Sequence, residues 1–282
     1  MQTSRLSSLL VLISALAFAQ HAPGTPNQLM PREAAEGWRL LFDGRTMTGW
    51  DDPTKKNPPG DSWTVEDGCL KALAKPRIGA DLVTKETFDD FELAFDWRIA
   101  PGGNSGVKYR IQERVFIDYG KRKPGAKRWE ETVDDELLNR VSDRSRLALG
   151  DFAEEYVIGF EYQLIDDARN PDAAKSPTHR TGALYDMAAP AAEESRPPGE
   201  FNSSRIVVRG NRTEHWLNGV KVLDTFLDAP AVSESLARRW TPSSPVYRLL
   251  AQPRAAGCPI SLQNHRSEAW FRNVKIRRLD RR

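Results

Sequence analysis

The chain has 282 residues, and its 41 Lys and Arg nearly balance its 39 Asp and Glu, giving a formal net charge of +2. With both signs mixed along the chain there is no basic footprint for nucleic acid, and nothing after residue 20 reads as a membrane span. The four histidines and the two cysteines, Cys69 and Cys258, lack zinc-ligand spacing, and no Gly-x-Ser-x-Gly elbow points to a serine hydrolase.

At the N-terminus, Arg5 precedes an apolar run from Leu6 to Phe18 that ends in Ala17-Phe18-Ala19. A basic start, a short apolar core and a small-residue site predict a secretory signal peptide over 1–19, hence an exported protein, periplasmic or extracellular. Residues 20–35 are Pro-rich and polar and read as a flexible leader, leaving 36–282 as a single folded domain. Export permits a disulfide. Cys69 and Cys258 are read either as a bridge between early and late strands or as two separate buried thiols.

Short strand signals then follow one another. Trp63-Thr64-Val65-Glu66 and Cys69 to Leu73 flank Asp67-Gly68, a hairpin signal. Phe91, Leu93, Phe95 and Trp97 alternate with Glu92, Ala94, Asp96 and Arg98, which predicts one buried and one wetter face. Gly102-Gly103-Asn104-Ser105-Gly106 has no helix after it, so it reads as a tight turn that lets backbone approach a ligand. Residues 106–112 and 157–165 alternate in the same way. From about 121 to 155 the pattern stops, and Trp129, Val133, Leu137, Leu138 and Val141 fall at helical spacing. This predicts a helical insertion that either caps a binding face or lies on the surface. The runs 204–209, 213–217, 220–223, 260–265 and 269–276 close the chain, with Asn218-Gly219 as a second hairpin signal. Many short strands with regular turns predict an all-β sandwich or jelly roll.

Period-2 parity sorts the polar residues. Lys108, Arg110 and Gln112 are expected to share a face, as are Glu161 with Gln163, and Ser261 with Gln263 and His265. Three strands with large hydrogen-bonding groups on one face could hold a polyhydroxylated ring, although any solvated antiparallel sheet shows such alternation. Gln163 at the centre and Asp166 at the wrong parity give little support to a two-carboxylate glycosidase. His215, next to Trp216, reads as a packed histidine.

Taken together, Gly37-Trp38, Phe42-Asp43-Gly44, Gly49-Trp50, Glu66-Asp67-Gly68, Asp90-Phe91-Glu92-Leu93, Gly102 to Gly106, Tyr109-Arg110, Glu161-Tyr162-Gln163, Thr181 to Asp186, Glu214 to Gly219, Leu262-Gln263 and Phe271-Arg272-Asn273 resemble the 3-keto-disaccharide hydrolase family over about 37–279. The resemblance implies a concanavalin-like jelly roll and action on sugars oxidised at C3, or carbohydrate binding where catalysis has been lost. Two departures stand out: the 121–155 insertion is long for the family, and Asn264 stands where an acid is usual. A 3-ketone acidifies the C2 proton, so a base can open a β-elimination that frees the C1 oxygen before water adds back. On this reading Glu161 or His265 is base or acid, and Arg110 and Lys108 stabilise enolate charge. Gln163 and Gln263 hold hydroxyls, and Asn104 and Tyr185 line the rim. A divalent cation such as calcium, where one binds, would polarise the ketone. A non-catalytic carbohydrate-binding module and a cell-surface scaffold are the competing readings.

Overall fold

The computed structural model describes residues 25–51, 62–76, 78–118, 133 and 153–280. The expected signal peptide lies outside the described residues, as does most of the expected helical insertion. The last residues of that insertion, 153–155, are strand.

Fourteen strands are described: β1 (Arg39–Leu40), β2 (Trp50–Asp51), β3 (Trp63–Glu66), β4 (Cys69–Ala72), β5 (Ile78–Gly79), β6 (Leu82–Thr84), β7 (Phe91–Ile99), β8 (Asn104–Asp118), β9 (Ala153–Ile165), β10 (Asn202–Arg209), β11 (Arg212–Leu217), β12 (Val220–Phe226), β13 (Ser261–Leu262) and β14 (Ala269–Arg278). They form an eight-stranded sheet in the order β12-β11-β10-β7-β14-β4-β3, with β1 also on β14, and a six-stranded sheet in the order β2-β6-β13-β8-β9-β5. This is the expected all-β sandwich. Every named pair is antiparallel except β5 with β9. Both hairpin signals hold: Asp67-Gly68 and Asn218-Gly219 carry positive φ at both central residues, which matches the twist of the strands they join.

The core lies between the sheets. Phe91, Leu93, Phe95 and Trp97 of β7 are buried as the alternation predicts. Phe95 meets Tyr162 edge-on at 6.1 Å, and Phe91 meets Tyr109 at 6.5 Å, so the aromatic faces of the two sheets interlock. Polar groups drawn into this layer are satisfied. Trp97 donates to Ser204 Oγ at 2.8 Å, and the Tyr162 hydroxyl lies 3.0 Å from that oxygen while donating to the Trp216 carbonyl. His215 is the packed histidine expected. Burial lowers its pKa to about 4. The neutral ring therefore donates from Nδ1 to the Gly182 carbonyl and accepts at Nε2 from the Tyr109 hydroxyl, both at 2.9 Å.

One expectation about the start of the chain is corrected, and the two readings of the cysteines resolve to separate buried thiols. The supposed leader is seated from Asn27 onward. The Asn27 amide donates to Asn273 Oδ1 at 2.6 Å, the Asn273 amide donates back at 2.8 Å, and Asn27 Nδ2 donates to the Gly68 carbonyl. Residues Pro31–Ala35 form a short helix, tied down by an ion pair from Glu33 to Lys275 of β14. Composition suggested a loose segment, but specific polar contacts anchor it. The two cysteines are free and buried. Cys69 sits in β4 of the larger sheet, and Cys258 bridges to Phe88 near the smaller one.

Candidate active site

The outer face of the six-stranded sheet gathers the polar residues that parity had grouped. Lys108 of β8 stands opposite Glu161 of β9 and Ser261 of β13, and Gly106 stands opposite Gln163. Gly106 is needed for this arrangement. A Cβ there would lie 2.4 Å from Glu161 Oε1 and 2.9 Å from its Cδ, so only a bare backbone lets the carboxyl lie across β8.

A charged group surrounds that carboxyl. Lys108 Nζ lies 4.0 Å from Glu161 Oε2 and 3.6 Å from Asp81 Oδ2. In the amide orientation that satisfies both neighbours, Gln263 donates to Glu161 Oε1 at 3.3 Å and accepts from Lys108 Nζ at 3.2 Å. Burial pushes the Glu161 pKa up to about 7; Lys108 and Arg239 oppose the shift, while Asp81 and Asp172 reinforce it. Desolvation outweighs the nearby ammonium because the pair is not closed to contact.

The wall beside Glu161 comes from the loop after β9. Residues 181–185 run along β9 on the side away from β8: Gln163 N donates to the Ala183 carbonyl, and Tyr185 N to the Glu161 carbonyl. The Tyr185 hydroxyl donates to Asp172 Oδ2 at 2.9 Å, and its ring packs on His179 at 4.7 Å with the Arg239 guanidinium 5.0 Å from its centre. His179 is clamped between Asp172 at 3.3 Å and Asp186 at 3.2 Å. Hydrogen bonding of its ring N–H groups to these carboxylates raises its pKa to about 9, so the ring is a cation at neutral pH. Burial works to raise Asp172, but bonds from His179, Lys175 and Tyr185 outweigh it and hold the carboxyl below its usual range.

His265 follows β13 with its side chain exposed. It shares the electrostatic neighbourhood of the group. Crowding by surrounding protein and then the Lys108 ammonium lower its pKa, against the pull of Asp172 and Asp81. A side chain can be reachable by water and still lose much of its hydration when it stands among protein walls. His265 is therefore neutral at physiological pH. Asn104, on the same parity as Gly106 and Lys108, is 7 % exposed, and its buried Oδ1 has no hydrogen-bond partner among the described residues. Gln163 shares the face but is closed off at 1 % exposure.

Arg110 is a correction. The β8–β9 register shifts between Tyr109 and Glu113, setting residues 110–112 against Gly159 alone. Arg110 takes φ +51 in this bulge, and its guanidinium turns to Asp90 Oδ1 at 3.2 Å and the Gly210 carbonyl at 2.8 Å. It fastens the smaller sheet to the β10–β11 turn and does not join Lys108 and Glu161. Bulges re-aim side chains in this way. Gln112 is redirected too, bonding the Arg254 backbone through its amide.

One other expectation changes, and the Asn264 departure gains a structural reason. The glycine turn is real, with Gly102 at φ +71, but its amide is engaged by Asp166 Oδ2 at 2.8 Å and its carbonyl by Asn170, not offered to a ligand. Asn264 is a brace, donating to the Ser62 and Leu73 carbonyls. Among the described residues no three His, Cys, Asp or Glu side chains gather as metal ligands, and no helix is long and apolar enough to cross a membrane. Parity reasoning missed Asp81, Asp172, His179 and Arg239. Asp81 precedes β6 on the parity of Val83, which pairs with Ser261, but that pairing is visible only in the fold.

Residues 37–277 match the model of the 3-keto-alpha-glucoside-1,2-lyase-like domain. The chain is 29 % identical over 260 residues to a 3-keto-disaccharide hydrolase of Bacteroides thetaiotaomicron, covering 87 % of this chain and 80 % of that protein. In structure it is similar to a Parabacteroides distasonis protein assigned as a glycosyl hydrolase, at TM-score 0.63 and 29 % identity, over 90 % of this chain and all of the other. A second P. distasonis structure so assigned, at 22 % identity and TM-score 0.55, covers 86 % of this chain and 99 % of its own and shares the fold.

Proposed function

The chain belongs to the 3-keto-alpha-glucoside-1,2-lyase-like family of carbohydrate-processing enzymes, and from that premise we propose that it cleaves 3-keto-glycosides by elimination and hydration at the Glu161 site. The observation that carries this reading is a carboxyl near neutral pKa beside a buried ammonium. A general base works best when its pKa lies close to the operating pH.

Glu161 takes the C2 proton, whose acidity comes from the neighbouring ketone. The C2–H electron pair forms an enolate with its charge on the C3 oxygen, where Lys108 offers a positive charge without moving. As the ketone re-forms, the C1–O bond breaks and its electrons leave with the departing oxygen, which takes up a proton. Protonated Glu161 is acidic enough near pH 7 to supply it. Water then adds at C1 and a proton returns to C2, so the net change is glycoside plus water giving a 3-keto sugar and an alcohol. Neutral His265, on the exposed side, can hold the water or the leaving group. On this reading Asn104, whose Oδ1 has no hydrogen-bond partner among the described residues, binds a sugar hydroxyl, and Gln263 and Tyr185 line the site. The elimination route needs one base and one enolate stabiliser, and this site offers one such pair and not two matched carboxylates.

The test is to incubate the protein with 3-keto-trehalose or a 3-keto-β-glucoside beside the unoxidised sugars. The expected result is release of 3-keto-glucose from the oxidised compounds alone, lost in Glu161→Gln. Binding of these sugars with no release would replace the reading with that of a carbohydrate-binding module. Export belongs to the same proposal and rests on the N-terminal pattern. A cell-associated product that still carries residues 1–19 would count against it.

A further inference from the structure

Asp81 lies one residue before β6 and is 1 % exposed. It is fixed from several directions: Oδ2 accepts from Ser261 Oγ at 3.0 Å, Oδ1 accepts from the Asn264 amide at 3.2 Å, and its own amide donates to Glu155 Oε2 at 3.0 Å. Glu155 is itself held by Arg114 at 2.6 Å. Lys108, by contrast, reaches the group on a flexible stem. A lysine buried against one carboxylate normally closes to roughly 2.7–2.9 Å. Here it stands 3.6 Å from Asp81 and 4.0 Å from Glu161, 3.2 Å from the Gln263 carbonyl oxygen, and 5.9 Å from the Tyr156 ring centre.

We infer that Asp81 is a positioning residue: by sharing Lys108 with Glu161 it keeps the ammonium from closing on that carboxylate, so that both groups stay turned toward one reacting centre. The inference rests on reading Glu161 as the base. With Asp81 neutral, Lys108 has a stronger reason to fall onto Glu161, which would bury the enolate stabiliser in an ion pair and weaken the base. The charged groups acting on Glu161 are Lys108, Asp81, Arg239 at the end of the helix Pro230–Arg239, and Asp172 from the loop after β9. His265 adds no charge while neutral. Removing Asp81 subtracts one of the two negative contributions and frees the closest positive one, and both changes favour ionised Glu161.

The experiment is a carbon-13 carboxyl titration of the full chain labelled at Glu, with the Glu161 signal identified by its loss in Glu161→Gln. Asp81→Asn is expected to lower the Glu161 midpoint by about one pH unit and to move the acid limb of kcat/KM by the same amount. Asp81→Glu, which keeps the charge, is expected to restore most of the shift. An unchanged midpoint in folded Asp81→Asn overturns the inference. If that variant does not fold, Asp81→Ser is read by the same criterion. Absence of cleavage by the wild-type protein removes the proposed function and leaves the titration to decide the Asp81 contact by itself.

Discussion

Replacing Glu161 with glutamine removes a charge that the folded protein holds at a cost. The unfolded carboxyl ionises near 4.5 and the folded one near 7. Between those values the unfolded chain gives up its proton first, so wild-type stability falls as pH rises, and above 7 the loss is complete. The full shift corresponds to about 3 kcal/mol at 1.36 kcal/mol per pH unit. The side chain keeps 14 % of its surface exposed, and allowing for water reaching it leaves about 2 kcal/mol. Glutamine fits the same space beside Gly106 and feels none of this. Urea or thermal unfolding of both proteins at pH 4 and pH 8 is the assay. The variant is expected to match the wild type at pH 4 and to melt roughly 4–8 °C higher at pH 8, while kcat falls on the order of 1000-fold. A difference in stability that is the same at both pH values would refute the claim that Glu161 carries an ionisation suppressed by its surroundings.

Other outcomes follow from particular contacts. The acid limb of kcat/KM is expected at about pH 7; a limb below 5 would exclude Glu161 as the base. Gly106→Ala puts a methyl group on the Glu161 carboxyl, so steady-state kinetics are expected to show kcat down about 100-fold with little change in melting temperature. Arg110→Met breaks a buried pair with Asp90 and is expected to cost about 3 kcal/mol in urea unfolding, with kcat of the folded fraction nearly unchanged. His179 gains its partners in the folded state, so its contribution is whole below pH 6.5 and is lost as pH rises through about 9. His179→Asn should therefore be less stable than wild type by about 2 kcal/mol at pH 6, and the gap should close above pH 9.

Much of the architecture was legible because local signals agreed with the global fold. The inward set Phe91, Leu93, Phe95 and Trp97 followed from period-2 alternation, and the two hairpins followed from Asp67-Gly68 and Asn218-Gly219. The same parity rule grouped Lys108, Glu161 and Gln263, because β8 and β9 pair regularly from Asn104 to Tyr109. It failed at the next residue, Arg110. A bulge changes which way a side chain points without changing the residue pattern, so Arg110 still read as polar-face while the structure sends it to Asp90. Asp81 was out of reach for another reason. Its role depends on β6 lying beside β13, a contact between residues about 180 positions apart, and alternation within a strand carries no information about which strands are neighbours. Asp172 sits in an irregular loop and His179 ends a single 3-10 turn, Pro177–His179, and neither is long enough to carry a periodicity. The seating of Asn27 is likewise a long-range event, a reciprocal pair of hydrogen bonds with Asn273 that composition could not announce.

Cleavage of a 3-keto-glucoside in deuterium oxide bears most directly on the central claim. If the reaction passes through C2 deprotonation and rehydration, the released 3-keto sugar carries deuterium at C2 above the level that the free sugar takes up in the same buffer. Product that retains its original C2 hydrogen, formed at the full enzymatic rate, would mean direct displacement at C1 and would contradict the role given to Glu161.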